Sequence, residues 1–396
     1  MRYILKCIIL SGILFSFCSL QAQIYEPGQV YFDSTGFVEY RAGNLPLIFS
    51  APHGGNLDPD SIPDRKCNDC VLVNDAWTKP ITEGVYDRIV EWTGCYPHVI
   101  INLLRRSKFD ANRDIDEAAV GNPLIEQSWR GYHTFIEAAK TEVVGSFSRG
   151  LFLDMHGHGH TIQRIELGYL LSRSELQLSD SILNTSQLLQ ESSIRTLTTD
   201  NIQSLSHAEL IRGEMSMGTL LMDKGFPTVP SAIDPFPQGS DSYFSGGYNT
   251  VRHGSRDQQD QIDAIQIEMN QDIRFDESRR LALIDSLAMV ALEYYGLHYN
   301  DTFEDELCNV ISSISNRDKN KPIIQIYPNP AKDYFVIESE IEIIKIDVYN
   351  ALGQKMTTSE VSNAGLVSVS SFESGLYIIR FLGVEGSLST KFLVVN

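Results

Sequence analysis

Between residues 24 and 300, short apolar runs alternate with stretches whose apolar residues recur every three or four positions, and no other feature restricts the chain's fold so much. "NLPLIFSAPHGG", "YPHVIINLLRR", "GLFLDMHGHGH" and "DAIQIEMN" read as strands, the first three ending in polar or glycine-rich turns. "VNDAWTKPITEGVYDRIVEWTG", "NPLIEQSWRGYHTFIEAAKTEVVG" and "SDSILNTSQLLQESSIRTLTTDN" carry the spacing of amphipathic helices. "DESRRLALIDSLAMVALEYYG" opens on an acidic cap and closes at Gly296, the pattern of a terminal helix. Strand and helix in turn predict an α/β fold, a mostly parallel or mixed sheet flanked by helices. Ligands of such sheets bind beyond the carboxyl ends of the strands, where these polar turns fall.

The two ends of the chain read differently. From Ile323 onward come "IIQIYPNP", "YFVIES", "IIKIDVYNALGQKM", "LVSVSSF", "GLYIIRFLG" and "STKFLVVN", short alternating runs that predict a small all-β sandwich over residues 322–396. The polar "SSISNRDKNKP" makes residues 301–321 a linker. Residues 1–22, "MRYILKCIILSGILFSFCSLQA", hold two positive charges, an apolar stretch and no acid, which is the layout of a signal peptide cleaved after Ala22. An uncleaved anchor is the other reading, and the apolar run is short for a membrane span.

With 51 acidic against 32 basic residues, the formal net charge is −19, and losing residues 1–22 removes Arg2 and Lys6 but no acid. Such a surface argues against nucleic acid as a partner. Four cysteines remain in the mature chain, Cys67, Cys70, Cys95 and Cys308, and an exported protein uses them as disulfides. Cys67–Cys95 is the expected pair, with Cys67–Cys70 left open. A single CxxC lacks the second ligand pair that a structural zinc site needs.

Several polar residues sit where a strand ends. His53 in "SAPHGGNLDPD" is five residues before Asp58, a spacing that on a helix would put them about 140° apart, so they could share a metal only from a loop. His156, in "LDMHGH", can supply a third ligand, and Asp154, two residues earlier on the same side of the strand, can orient its imidazole. In "DANRD", Arg113 offers a planar fork suited to a substrate carboxylate, although a loop held by Asx turns is the plainer reading of the segment. Glu268, in the apolar "AIQIEMN", would have its pKa raised by burial toward that of a useful general base. His253 follows the glycine-rich "SGGYN" and is a candidate donor to an oxyanion or carboxylate, and Arg105 and Arg106 are candidates for holding an anionic substrate. Of the other two histidines in "HGHGH", His158 is the better pocket-lining residue and His160 the lesser.

In combination these segments resemble two known families. "YPNP", "YNALGQKM" and the "SGLYIIRF" to "KFLVVN" ending resemble the C-terminal sorting domain of the type IX secretion system. That resemblance implies the type IX machinery as partner and a secreted or cell-surface location. "APHGG", "DANRD", "LDMHGH", "GGYNTVRHGS" and "IQIE", in that order over residues 45–275, resemble the N-formylglutamate amidohydrolase family, which is related in fold to zinc carboxypeptidases and poly-γ-glutamate hydrolases. It implies a zinc-carboxypeptidase-like catalytic domain over residues 23–300. It further implies Zn2+ held by His53, an acidic residue at Asp58 and His156, a substrate carboxylate met by Asn112 and Arg113, and Glu268 as general base. Related enzymes usually carry Glu at the second ligand position. Asp58 is one methylene shorter, and Asp60 and Asp64 stand nearby as substitutes.

The expected function is a secreted zinc-dependent hydrolase of a C–N amide bond, formamide, γ-glutamyl or related, in a carboxylate-bearing or peptide-like substrate. A carboxypeptidase-like metallopeptidase and a non-catalytic surface protein binding anionic ligands are the alternatives. No obligate protein partner is expected.

Overall fold

The computed structural model describes residues 24–67, 70–256 and 260–299, and seven strands with adjoining turns between residues 324 and 394. The expected signal peptide and linker lie outside the described residues. The chain separates into two compact units, Met1–Ser315 and Asn316–Asn396. Among the described residues, no helix is long and apolar enough to cross a membrane.

The first unit is built on an eight-stranded mixed sheet: β1 Val30–Phe32, β2 Val38–Arg41, β3 Leu47–Ala51, β4 His98–Asn102, β5 Gly150–Gly157, β6 Ile165–Gly168, β7 Thr228–Val229 and β8 Ile262–Met269. The spatial order is β1-β2-β4-β3-β5-β8-β6-β7. The central strands β4, β3, β5 and β8 run parallel, while β2 joins β4 and β6 joins β8 antiparallel. Their continuous apolar runs follow from this arrangement, because a central parallel strand is covered on both faces. Leu151, Leu153 and Met155 of β5, with Ile265, Ile267 and Met269 of β8, enter the core on one face. Phe152, Ile262 and Ala264 enter the core on the other.

The helix Thr78–Thr93 buries Ile81, Val85 and Ile89 at a spacing of four, and it ends at left-handed Gly94. Pro123–Phe147 starts from an Asn122 cap and packs Tyr132, Ile136 and Val143 into the second core. Glu277–His298 is capped by Asp276 and runs past Gly296, where the sequence had suggested a stop. The segment expected as one helix, residues 179–201, breaks into Asp180–Leu183, Ser186–Glu191 and Arg195–Thr199. Ser179 and Thr185 take extended backbone before the first two pieces, the conformation such residues favour at helix starts.

Cys67 is disulfide-bonded to Cys70, not to Cys95. Cys67 stands two residues after Arg65, whose guanidinium donates to the carbonyls of Arg106, Glu117 and Val71 and so pins the segment on either side of the bond.

The second unit contains β9 Ile324–Tyr327, β10 Tyr334–Ser339, β11 Ile343–Asn350, β12 Lys355–Glu360, β13 Ala364–Ser368, β14 Gly375–Gly383 and β15 Gly386–Val394. They form antiparallel sheets of three and four strands, β13-β10-β9 and β12-β11-β14-β15. Phe335, Ile337 and Val367 from one and Ile346, Val348, Tyr377 and Ile379 from the other share one core, as the expected sandwich requires.

Candidate active site

Toward the carboxyl ends of the central strands, the second face of the sheet turns from apolar to polar. Ser50, Asp154, His156, Gln266 and Glu268 are all buried there, on strands that pair Ser50 with Asp154 and His156 with Glu268. A buried polar group left unpaired costs about 1–3 kcal/mol, so such a cluster persists only through mutual pairing or for chemistry.

His53 leaves β3 in the turn Pro52–Gly55. A Cβ on Gly54 would lie 2.4 Å from the Lys79 nitrogen, and one on Gly55 2.3 Å from the Leu103 carbonyl carbon, so only glycines let the turn pass between these backbones. His53 Nδ1 is 3.2 Å from Asp75 Oδ2, and its Nε2 is 2.6 Å from Asp110 Oδ1. His156 repeats the pattern: Nδ1 lies 3.2 Å from the same Asp75 Oδ2, and Nε2 lies 2.8 Å from Asp154 Oδ2. Asp75 is delivered by the loop before the helix Thr78–Thr93, and its N–H donates to the His53 carbonyl.

In each imidazole the outer nitrogen is tied to a buried carboxylate, which turns the inner nitrogen toward Asp75. Metal-ligating histidines are oriented in this way. His53, Asp75 and His156 bring their donor atoms within 4.8 Å of one another. Two imidazoles and a carboxylate suit a divalent transition metal and leave room for one further ligand.

The charges favour a cation. Burial opposes ionisation of Asp75, yet His53 and His156 hold its carboxyl below the ordinary range. Burial also works against charge on Asp110, and His53, Arg106 and Arg65 bring it well below that range. For His156, burial is outweighed by Asp154, Asp75 and Glu268, which hold its proton far more tightly than usual. A site that grips a proton between carboxylates offers the same field to a metal ion.

Glu268 lies beside His156 across the β5–β8 ladder and opposite Glu166 of β6. Its Oε1 accepts from the Gln266 amide at 2.9 Å, whereas Oε2 is buried without a partner. Burial pushes its carboxyl up to about 8, with His156 opposing and Asp75 and Glu166 reinforcing the rise. An orphaned oxygen aimed into a polar site is the arrangement expected of a group whose partner is a bound water or substrate.

The other expected site residues divide into those brought to this cluster and those kept from it. Asn112 is buried with Nδ2 3.5 Å from His156 Nε2, and its Oδ1 accepts from the Asn249 N–H. Arg113 is half-buried near the rim, donating to the Asn112 carbonyl and lying 3.3 Å from Glu117. Asp58 does not join the cluster. Beyond Gly55, Leu57 pairs through both backbone groups with Leu103 and Arg105, and the chain so directed gives Asp58 to Arg105 and Lys108. Asp64 is likewise held by Lys108, and Asp60 is exposed. Asp75 stands where the acidic ligand was expected.

Arg106 is no free anchor for substrate: its guanidinium is spent on Asp110 and Asp75. Arg105 is half exposed against Asp58. His253 is fully buried, 2.9 Å from His133 and against Phe152, four residues back along β5 from His156, so it cannot line the site. His158 is buried with both nitrogens engaged, by the Arg164 carbonyl at 2.8 Å and the His160 N–H at 3.1 Å. His160 in turn bonds Glu166, whose other oxygen accepts from the Phe244 N–H, and its ring stacks on Phe244.

Sequence reading missed Asp75, disguised in "NDAWTKP" as part of a helix start, and the role of Asp110, whose Asx turn to Asn112 coexists with its bond to His53.

Residues 325–396 match the family model described as secretion system C-terminal sorting domain, so the chain carries a tail that marks it for export. No curated protein matches the chain. Among solved structures, an N-formylglutamate amidohydrolase from Ralstonia eutropha is 14% identical, with 67% of this chain and 95% of that one covered and a TM-score of 0.37. A gene product from Agrobacterium tumefaciens is 12% identical over 65% of this chain and 92% of its own, with a TM-score of 0.36. A candidate carboxypeptidase A from Shewanella denitrificans is 11% identical over 64% of this chain and 60% of its own, with a TM-score of 0.30.

Proposed function

We propose that the chain is an exported zinc-dependent hydrolase of a C–N amide bond, formamide, γ-glutamyl or related, in a substrate that carries a carboxylate. The observation that supports this most is the convergence of two carboxylate-backed imidazoles on one oxygen of Asp75, with the unpartnered Oε2 of Glu268 on the neighbouring strand. His53, Asp75 and His156 are the residues that would hold the ion. A zinc ion bound there supplies Lewis acidity for the scissile carbonyl and lowers the pKa of water.

The chain's own residues do the rest. Glu268 takes a proton from the attacking water on Oε2 and delivers it to the leaving nitrogen, so one carboxyl serves as base and then acid. Asp110 and Asp154 keep the imidazoles in a single orientation throughout. Asn112, beside His156, and Arg113, on exchanging Glu117 for the substrate carboxylate, orient the amide relative to Glu268.

The test is hydrolysis of N-formylglutamate and of γ-glutamyl and α-peptide substrates by the zinc-loaded mature chain and by Glu268→Gln. Cleavage by the wild type that Glu268→Gln loses while keeping its zinc is the expected result; inactivity toward every amide would contradict the reading.

A further inference from the structure

Arg274 belongs to the short helix Gln271–Phe275 that follows β8, and only 3% of its surface is exposed. A guanidinium offers five N–H donors in a fixed planar fork. Here that fork reaches three separate segments: Nε donates to the Met269 carbonyl at 2.9 Å, Nη1 to Ala76 at 2.6 Å and Nη2 to His158 at 2.9 Å. Each acceptor lies one or two residues beyond a site residue: Met269 follows Glu268, Ala76 follows Asp75, and His158 is two past His156. The base and two of the three ligands therefore hang from segments that meet at one side chain. Gly157 makes the meeting possible, since a Cβ there would lie 2.4 Å from the Arg274 Nε, while the Gly157 N–H itself donates to Asp75 Oδ2 at 3.2 Å.

We infer that Arg274 is a positioning residue of the metal centre, setting the separation of Asp75, His156 and Glu268 without touching ion or substrate. The inference rests on the proposed reading of His53, Asp75 and His156 as ligands. Backbone pairing alone does not fix these separations: β5 and β8 are registered by their ladder, but the loop that carries Asp75 pairs its backbone with neither and meets β5 through the Asp75 carboxylate and the Gly157 N–H. Of the three bonds, the one to Ala76 ties that loop to the sheet. A lysine, a point donor on a flexible stem, cannot hold three carbonyls in one plane.

The experiment uses the full mature chain and zinc alone, so that no substrate need be known. Zinc affinity is measured by competition with a chromogenic chelator, and the visible spectrum of the cobalt-substituted protein reports ligand geometry. Arg274→Ala and Arg274→Lys are compared with wild type and with Arg212→Ala, an equally multidentate arginine that binds the Leu176 and Leu178 carbonyls away from the site. Removing support for ligating groups typically costs about 10–100-fold in affinity. That loss is expected in both Arg274 variants, with altered cobalt bands and partial recovery of Arg274→Ala by millimolar guanidinium; Arg212→Ala should bind zinc as the wild type does. Should Arg274→Ala fail to fold, Gly157→Ala, which displaces the guanidinium while keeping it, is expected to show the same affinity loss. Wild-type zinc affinity and cobalt bands in folded Arg274→Lys and Gly157→Ala would overturn the inference alone. A wild type that takes up no zinc would overturn it together with the reading of the site.

Discussion

Two triplets of two histidines and a carboxylate draw on the same "HGHGH" stretch: His53, Asp75 and His156, and His158, His160 and Glu166. Their composition differs only by the methylene that separates Asp75 from Glu166, and their hydrogen bonding is opposite. In the first, carboxylates behind the rings occupy the outer nitrogens, and both inner nitrogens face one oxygen. In the second, the bonds close on themselves: His158 is used by a carbonyl and an N–H, and Glu166 by His160 and the Phe244 N–H. Residue types thus name candidates, and the commitment of lone pairs decides between them. The first triplet holds its donors open toward a common point. The second is a satisfied wall.

The largest effect that could break this contrast is removal of a ligand. His156→Ala or His53→Ala should abolish stoichiometric zinc and lower turnover by at least about 10³-fold, the scale of an essential group, as read by elemental analysis and rate. Retained zinc in both variants would put the ion elsewhere. Next comes Glu268→Gln, expected to keep zinc and lose about 10²–10⁴-fold in rate, the range of general acid–base catalysis. Asp110→Asn and Asp154→Asn sharpen the point about backing carboxylates, with about 10–100-fold weaker zinc binding expected from chelator titration. By contrast, His160→Ala should leave zinc affinity unchanged and shift stability by only about 1 kcal/mol in a denaturant titration, the net worth of a hydrogen bond.

A smaller effect separates two acids on one strand. Asp263, like Glu268, is raised by burial, to about 7, but Ser255, the Leu197 N–H and Tyr299 all donate to it. With a folded pKa above the unfolded value of about 3.9, it contributes stability that is present below that value and fades as pH rises through 7. The Tm of Asp263→Asn minus that of wild type should therefore increase from pH 4 to pH 8; a flat difference would deny the shift.

Strand runs, helix spacing and the change of pattern at the tail were legible because they depend on local periodicity. So were His156, Asp154 and Glu268, whose shared face follows from the alternation of strands once β5 and β8 pair. Asp75 was not legible, since it joins His53 at a sequence separation of 22 and nothing in its neighbours marks that contact. Asp58, nearer in sequence, was drawn away by two cations that the spacing did not reveal. His253 shows the same limit from the other side: a polar residue after a glycine-rich turn looked accessible and proved to be packed under the helix Pro123–Phe147.

The most direct test of the contrast between the triplets is a count of zinc per chain after loading and exhaustive desalting, for wild type, His156→Ala and His160→Ala. One ion in wild type and His160→Ala with none in His156→Ala is the expected result; two ions in wild type, or the loss of zinc in His160→Ala, would contradict it.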